Sequence, residues 1–297
     1  MTPYFLAQKP FFLLPANQLF SAAAEPSHDA ASHYPFCLSI LPMSVSSLFE
    51  LRGKVALVTG AAQGIGGAAT EILAEAGANI LLLGRQIDTL QQQAERLAKF
   101  GVATRCIRCD VGNAHQVREA SEQAIAAFGH VDILVNNAGI IRRAPAAEYL
   151  LEDWQAVLDT NLTGAFLLTQ LIGKTMVERG GGKIINIASL LSFSGGMNVV
   201  AYTASKSALA GITRSFANEW GKHGVNVNAI APGYIRTQAT AALQNDPQRY
   251  QALLSRIPAG RWGEPGDLQG PILFLASAAS NYVNGHILTV DGGWMAA

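Results

Sequence analysis

The sequence carries little charge, and the charge that it carries is balanced. Only 14% of its 297 residues are charged, and 21 Lys and Arg residues match 21 Asp and Glu residues. Proteins that bind the phosphates of nucleic acids present concentrated basic surfaces, and this sequence contains no basic block. We therefore expect its partners to be small molecules or further copies of the same chain, with no nucleic acid among them.

Cysteine is also scarce. Cys37, Cys106 and Cys109 are the three cysteines, a number too small and too odd for a disulfide framework. Cys106 and Cys109 form a C-x-x-C pair, but they lie in a predicted strand, in which residues three apart point to opposite faces. Because that geometry does not suit shared metal ligands, we expect buried cysteines and no metal site.

No hydrophobic run reaches the roughly 20 residues that a membrane-spanning helix requires, so we expect no membrane partner. The apolar stretch near the N-terminus is interrupted by Pro10 and Pro15. Lys9, followed by FFLLP and SAAAE, resembles a secretory signal weakly, but everything downstream is typical of a cytoplasmic protein. We expect residues 1–50 to form a disordered extension, or to result from a start codon placed too early, with Met43 as an alternative start.

From Gly53 onward, short runs rich in Val, Ile and Leu alternate with longer helical patterns. Such strands, separated by helices, are typical of a parallel sheet that is covered on both faces. Right-handed crossovers then give a doubly wound α/β fold of the Rossmann type, and we predict one domain over residues 51–297. The predicted strands are 54–59, 79–84, 102–110, 131–139, 183–189, 225–232 and 286–292.

Two helical segments differ from this alternation. One long helical region is predicted from Asp153 to about Glu178. The other, at about 235–262, belongs to no βα unit and follows the carboxyl end of a strand, where folds of this class bind ligands. We predict that this second segment covers a substrate as a lid.

The stretch VTGAAQGIG directly follows the first strand and opens the first helix. Gly60 permits a tight turn, Gly64 allows the backbone to approach a diphosphate, and Gly66 allows the helix to pack closely. Phosphates bind at such helix N-termini, so the loop, with Gln63 and Ile65 as further contacts, predicts a dinucleotide site. A merely permissive turn is the alternative.

The end of the second strand reads LLLGRQ and is expected to meet the adenosine ribose. An acid at this place binds the 2′-hydroxyl of NAD(H), whereas an arginine suits the 2′-phosphate of NADP(H). Gly84 occupies the place of the acid and Arg85 follows, which favours NADP(H). The alternative is that Arg85 stacks on adenine and binds NAD(H) equally well. Asp110, with Val111 beside it, is predicted to accept a hydrogen bond from the adenine amino group.

Two further strand ends complete the predicted crevice. Asn137, Ala138 and Gly139 of NNAG end the fourth strand, and their short side chains allow a cofactor ribose to pack closely. Ser189 ends the fifth strand at the same edge of the sheet.

Tyr202 and Lys206 lie one helical turn apart and are expected to face this crevice. A phenol has an ordinary pKa near 10, and a neighbouring ammonium and a nicotinamide ring are expected to lower it. Tyr202 then acts as an acid or base at an alcohol or carbonyl oxygen, and Ser189 hydrogen-bonds that oxygen. Lys206 also binds the nicotinamide ribose. A surface Tyr–Lys pair with an unrelated serine is the alternative.

Residues 50–297 resemble the short-chain dehydrogenases/reductases. The resemblance rests on the residues above and on the motifs TGAAQGIG, NNAG, TNLTGAF, YTASK and APGYIRT. The resemblance implies that Tyr202 is the acid/base, that Ser189 orients the substrate and that Lys206 binds ribose. It also implies that Asn161 holds a water in a proton relay, and that such a protein is commonly a homotetramer. Contacts to nicotinamide are implied for Pro232, Gly233, Ile235 and Thr237.

Within that family, the chain is most similar to enzymes that interconvert a secondary alcohol and a ketone on a sugar acid, such as 2-dehydro-3-deoxy-D-gluconate or gluconate. Those relatives are usually NAD-linked, which differs from the expectation for Arg85. A sugar acid needs a cation for its carboxylate, and Arg142, Arg143 and Arg261 are the candidates, with surface ion pairs as the alternative for each. The rival hypotheses are a 3-oxoacyl-carrier-protein reductase and a non-catalytic dinucleotide-sensing protein.

Overall fold

A computed structural model describes residues 44–297 of the chain. The predicted N-terminal extension, the alternative start at Met43 and the cysteine at position 37 lie outside the described residues, apart from a short helix, α1, at Val45–Phe49. None of the helices in the described part is long and apolar enough to cross a membrane.

Seven parallel strands form one sheet in the order β3-β2-β1-β4-β5-β6-β7. All five residues of β1 are buried, as expected for a strand that has neighbours on both sides and helices above and below. The strands are β1 Val55–Thr59, β2 Asn79–Gly84, β3 Thr104–Arg108, β4 Ile133–Asn136, β5 Gly182–Ile187, β6 Val225–Pro232 and β7 Ile287–Val290.

Helices cover both faces of this sheet, which confirms the doubly wound α/β prediction. One apolar cluster joins the sheet to α2, α3 and α10, and a second joins the opposite face to α4, α6 and α7. The helices are α2 Gly64–Glu75, α3 Ile87–Leu97, α4 Ala114–Phe128, α5 Leu151–Leu158, α6 Gly164–Arg179, α7 Val200–Trp220, α8 Ala241–Gln244, α9 Pro247–Leu254 and α10 Gln269–Ala276.

The strand order places a crevice at the carboxyl edge of the sheet. The chain adds β2 and β3 on one side of β1, and then adds β4 to β7 on the other side. The loops that leave β1 and β4 therefore diverge to opposite faces and leave a gap between them, which is where open α/β sheets bind ligands. The predicted glycine loop and the predicted NNAG turn are these two loops.

Cys106 and Cys109 pack on opposite faces of the sheet. Cys106 packs against the α2–α3 cluster and Cys109 belongs to the α4–α6 cluster, in agreement with the predicted alternation. Burial raises the pKa of both thiols, that of Cys109 to about 11.

The long helical region predicted at 153–178 is interrupted by one wider turn. α5 ends at Leu158, and α6 begins at Gly164 after the π-helical turn Asp159–Thr163. Single π turns inside helices frequently lie at functional sites, and this one contains the buried Asn161.

The predicted lid consists of three short helical pieces. A 3₁₀ turn at Gln238–Thr240 leads into α8, and α9 starts anew because Asp246 caps it and Pro247 occupies its first position. The Tyr250 ring stacks on the fully buried Trp262, with ring centroids 5.2 Å apart. This contact holds α9 against Trp262, which ends the predicted lid.

Asp132 organises the opposite, amino edge of the sheet. Its carboxylate accepts hydrogen bonds from the backbone N–H of Val55 at 2.9 Å and from the Arg179 guanidinium at 3.0 Å, with Lys54 at 3.7 Å and His130 at 3.1 Å. Burial alone raises the pKa of Asp132, but these hydrogen bonds and charges outweigh it and hold the pKa below its ordinary value.

Asp132→Asn should lower the free energy of unfolding by about 1–3 kcal/mol at neutral pH, because it removes a charged acceptor from several donors. The depressed folded-state pKa means that this stabilisation is present above the unfolded value near 3.9 and is lost as the pH falls through the folded-state pKa. Urea unfolding of both proteins from pH 7 to pH 3 should show the difference shrinking. Glu122→Gln, a change of the same kind at an exposed site, is the control, and an equal loss in that variant would contradict the role of Asp132.

Candidate active site

The glycine loop closes tightly on itself at the start of α2. Gly60 and Gly64 have φ angles of +62° and +57°, which favour glycine. A Cβ on Gly66 would lie 2.1 Å from the carbonyl oxygen of Gly60, so the third glycine is required by the turn itself rather than by packing on the sheet. No side chain caps the first turn of α2, whose N-cap is Gln63. Its N–H groups are therefore available to an anion at the helix N-terminus.

Asn137 connects this loop to the end of β4. Its Nδ2 donates to the carbonyl oxygens of Thr59, at 2.9 Å, and Gly60, at 3.2 Å. The Thr59 hydroxyl accepts in return from the backbone N–H groups of Asn137 and Ala138, both at 2.9 Å. The Asn137 side chain thus positions the two loops, whereas Ala138 and Gly139 continue along the crevice.

The adenosine end of the crevice contains the residues predicted for it. Gly84 ends β2, and the exposed Arg85 follows it. Oδ1 of Asp110 accepts from the backbone N–H of Gly112 at 3.0 Å, and the backbone N–H of Asp110 donates to Gln116 at 2.8 Å. These bonds fix the carboxylate beyond β3, beside the buried Val111.

Ser189, Tyr202 and Lys206 come together at the carboxyl end of β5. The Ser189 hydroxyl accepts from the backbone N–H of Leu191 at 3.1 Å, and the Ser189 side chain lies close enough to the phenol of Tyr202 to lower its pKa. Lys206 is 4% exposed, and its Nζ donates to the carbonyl oxygen of Ile187 and lies 5.6 Å from the centre of the Tyr202 ring. The structure therefore brings the three predicted catalytic side chains into one cluster.

The electrostatics of this cluster differ from the expectation in one respect. Burial raises the pKa of Tyr202 and outweighs the lowering by the Ser189 hydrogen bond and the Arg143 charge. Burial also lowers the pKa of Lys206 to about 8. The prediction that Lys206 draws the pKa of Tyr202 downward is thus wrong for the protein alone, because burial disfavours the charged form of each group.

Asn161 connects the end of β4 to α7. Its Oδ1 accepts from the backbone N–H of Ile140 at 2.8 Å, and its Nδ2 donates to the Ile140 carbonyl at 2.9 Å and to Ser205 at 3.2 Å. A Cβ on Gly139 would lie 3.2 Å from Asn161 and 3.8 Å from the Nζ of Lys206. Asn161 thus lies next to Lys206, and its part in a water relay stays a prediction.

The start of the lid lies over the glycine loop. β6 ends at Pro232, and a Cβ on Gly233 would lie 2.7 Å from the Cα of Asp291, beside the end of β7. Beyond the buried Ile235, the methyl group of Thr237 lies 3.5 Å from the position of a Cβ on Gly64. The residues predicted near nicotinamide and those predicted near the diphosphate therefore line one crevice.

Comparisons with known proteins agree with this geometry. A family model described as enoyl-(acyl carrier protein) reductase matches residues 60–295. The 2-dehydro-3-deoxy-D-gluconate 5-dehydrogenase of Escherichia coli strain K12 is 49% identical over 253 residues, 85% of this chain and 99% of that protein. The chain belongs to the short-chain dehydrogenase/reductase family. The Bacillus subtilis strain 168 protein with the same name is 50% identical over 247 residues, 83% of this chain and 96% of that protein.

A solved member of the family has the same fold. The crystal structure of a gluconate 5-dehydrogenase from Burkholderia cenocepacia J2315, in complex with NADP and tartrate, is 41% identical and superposes with a TM-score of 0.82. The match covers 86% of this chain and all of that chain. This chain is therefore an NAD(P)-dependent oxidoreductase of the Rossmann type, as predicted from its motifs.

The three arginines proposed for a substrate carboxylate have different surroundings. Arg142 pairs with Asp153 at 3.2 Å. Arg261 donates two hydrogen bonds to Asp267, at 2.7 and 2.8 Å, so its charge has a partner within the chain, and its contact with a substrate stays a prediction. Arg143 is exposed, and its charge acts on the phenol of Tyr202. Only Arg143 of these three has both an exposed guanidinium and proximity to the catalytic phenol.

Two sets of polar contacts around this short-chain dehydrogenase/reductase site were not foreseen. The side-chain amide of Gln63 donates to that of Gln238 at 2.8 Å, which links the glycine loop to the lid. Beneath the site, Asn136 donates to Asn186 at 2.9 Å, and Asn186 donates to Thr213 at 2.9 Å. In the sequence, the signal for the contacts of Asn136 and Asn186 was the presence of asparagines inside the otherwise apolar strands ILVN and GKIINI.

Tyr202→Phe should remove turnover, lowering kcat by at least about a hundredfold, while the cofactor Kd changes little, because only the proton-transferring hydroxyl is lost. Stopped-flow or steady-state rates and a cofactor titration by fluorescence check the two expectations. Tyr282→Phe, the same change at a fully exposed tyrosine, is the control and should be indistinguishable from the unaltered protein. Retention of most activity in Tyr202→Phe would show that another group moves the proton.

Proposed function

We propose that this enzyme interconverts a secondary alcohol and a ketone on a sugar acid, such as 2-dehydro-3-deoxy-D-gluconate or gluconate, with Tyr202 as the acid/base. The cluster of Ser189, Tyr202 and Lys206 at the mouth of the dinucleotide crevice carries this proposal. The sugar-acid class is supported by the names of the relatives described above, which are 49% and 50% identical over most of both chains.

In the direction of reduction, the phenol of Tyr202 donates its proton to the substrate carbonyl oxygen. A phenol with an ordinary pKa near 10 is protonated at neutral pH, as this direction requires, and burial raises the pKa of Tyr202 further. Ser189 donates a hydrogen bond to the same oxygen and fixes its position between the two hydroxyls. The bound nicotinamide supplies or accepts the hydride, and in its oxidised form its positive charge favours the phenolate that is needed for alcohol oxidation.

Lys206 is positioned to act on both the cofactor and the proton. Its Nζ has three donors, of which one is used by the carbonyl oxygen of Ile187. We propose that the others bind the nicotinamide ribose and a water next to Asn161, since Gly139 leaves space between these residues. Ser189, Tyr202, Lys206 and Asn161 are thus the proposed catalytic residues.

The proposed cofactor is NADP(H) rather than NAD(H). Gly84 provides no carboxylate that would repel a 2′-phosphate, and Arg85 provides a guanidinium beside it. A related gluconate 5-dehydrogenase was crystallised with NADP. The proposed contacts run along the crevice and comprise Gly60, Gln63, Gly64, Ile65, Gly66, Arg85, Asp110, Val111, Asn137, Ala138, Gly139, Tyr202, Lys206, Pro232, Gly233, Ile235 and Thr237.

We also propose a cytoplasmic homotetramer, with residues 51–297 as its repeating domain. Exposed apolar side chains support self-association: Leu150 and Leu151, at 55% and 79% exposure, precede Phe166 on the α5–α6 helical stretch. The adjacent pair Leu150–Leu151 presents an apolar surface of the kind that contributes to protein interfaces. Sedimentation equilibrium of the purified protein distinguishes the tetramer from smaller assemblies.

A substrate panel tests the proposed reaction. Purified protein is assayed with gluconate, 2-dehydro-3-deoxy-D-gluconate, their keto or hydroxy counterparts and a 3-oxoacyl thioester, each with both cofactors. Turnover of a sugar acid with the highest kcat/KM in the presence of NADP(H) is expected. Reaction of the thioester alone would favour a carrier-protein reductase, and cofactor binding without any turnover would favour the dinucleotide-sensing hypothesis.

Arg143→Gln should raise KM for the sugar acid by about 10- to 100-fold, because a charge-assisted hydrogen bond to a carboxylate contributes about 1.5–3 kcal/mol. The KM for an uncharged polyol or ketose that reacts slowly at the same site should change much less. Arg142→Gln is the matched control, since Arg142 pairs with Asp153. Equal KM values in the Arg143 and Arg142 variants would mean that the carboxylate binds elsewhere.

A further inference from the structure

A second arginine lies next to the adenosine end of the crevice. In the register of the sheet, Arg108 of β3 is the direct neighbour of Gly84 of β2, and the backbone N–H of Cys109 donates to the Gly84 carbonyl at 2.9 Å. Neighbouring strands are about 4.8 Å apart, so the backbone of Arg108 lies about 5 Å from that of Gly84. A guanidinium on a side chain as long as arginine spans that distance.

The loop after β2 leads into α3, which covers one face of the sheet. The side chain of Arg108 lies on that face. Residues of β3 alternate between faces: Ile107 is buried in the α4–α6 cluster, and Cys106 packs against the α2–α3 cluster. Arg108 therefore shares the face of Cys106. Gly84 opens on the same face, because a Cβ on it would lie 3.3 Å from Leu90 of α3.

Charge also favours an anion at this place. Arg85 and Arg108 are both exposed, and neither forms an ion pair within residues 44–297. Two guanidinium groups on adjacent strand ends repel each other unless an anion lies between them. A phosphate monoester, with about two negative charges and three acceptor oxygens, matches two guanidinium groups in charge and geometry.

We infer that Arg108 is a second ligand of the cofactor's 2′-phosphate, so that the choice of NADP(H) over NAD(H) depends on the pair Arg85–Arg108 rather than on Arg85 alone. This inference rests on the proposed use of NADP(H). It assigns a specificity-determining role to a residue of the third strand, in addition to the loop after the second strand. The proposed role of Arg108 does not depend on the glycine loop or on the cluster of Ser189, Tyr202 and Lys206.

Calorimetric titration of the full-length protein with 2′,5′-ADP and with 5′-ADP tests this inference without any substrate. Arg108→Gln should weaken 2′,5′-ADP binding by about tenfold or more and leave 5′-ADP binding within about twofold. Arg105→Gln is the matched control: Arg105 is exposed, lies on the same strand three residues earlier, and belongs to the other face. Since both variants lose one positive charge, a long-range charge effect would weaken both equally.

The outcomes distinguish the role of Arg108 from the proposed preference for NADP(H), on which that role rests. If Arg85→Gln weakens 2′,5′-ADP binding and Arg108→Gln behaves like Arg105→Gln, the role of Arg108 is wrong and the NADP(H) preference stands. If the unaltered protein binds 5′-ADP as tightly as 2′,5′-ADP, both the preference and the role of Arg108 are wrong. Equal losses of 2′,5′-ADP affinity in the Arg108→Gln and Arg105→Gln variants would rule out a direct contact between Arg108 and the 2′-phosphate. Steady-state kcat/KM ratios for the two cofactors should follow the same order as the binding data.

Discussion

The hydrogen bonds of Asn137 to the glycine loop are the contact on which the site depends. Asn137 donates to the carbonyl oxygens of Thr59 and Gly60, and the Thr59 hydroxyl accepts from the backbone after β4. The two loops at the switch point of the sheet would otherwise diverge toward opposite faces. Because Gly66 packs directly against Gly60, the same contacts also set the position of α2, whose N-terminus is the predicted site of a diphosphate.

A second layer of buried amides extends this arrangement to the catalytic helix. Asn136 donates to Asn186 on the next strand, and Asn186 donates to Thr213 on α7, two turns beyond Lys206. Buried polar groups are costly unless they are paired, so the bonds that Asn136 Nδ2 and Asn186 make favour one relative position of β4, β5 and α7, although Asn136 Oδ1 has no partner among the described residues. The distance between the glycine loop and Tyr202 is thereby determined by the interior of the protein rather than by surface loops.

The fold and the shared face of Tyr202 and Lys206 could be predicted from the sequence, because both depend on local pattern. Apolar strands between helices specify a parallel sheet, and residues one turn apart on a helix, such as Tyr202 and Lys206, necessarily share a face. The electrostatics could not be predicted in this way. The pKa of Tyr202 depends on how completely the fold removes water from the phenol, and the bond between Lys206 and the carbonyl of Ile187 depends on tertiary packing. The pairing of Arg261 with Asp267 likewise depends on tertiary structure, on the shape of one turn.

The positions of two arginines bear on how a protein of zero net charge would bind the proposed anionic substrate and cofactor. Some arginines are compensated locally, as in the pairs of Arg179 with Asp132 and of Arg261 with Asp267. Arg143 and Arg85 belong to the predicted reaction end and adenosine end, and neither has an ion-pair partner within residues 44–297. Net charge therefore says little about which ligands such a protein binds. An unpaired cation at a binding site attracts an anion over about a Debye length, whatever the net charge of the whole protein.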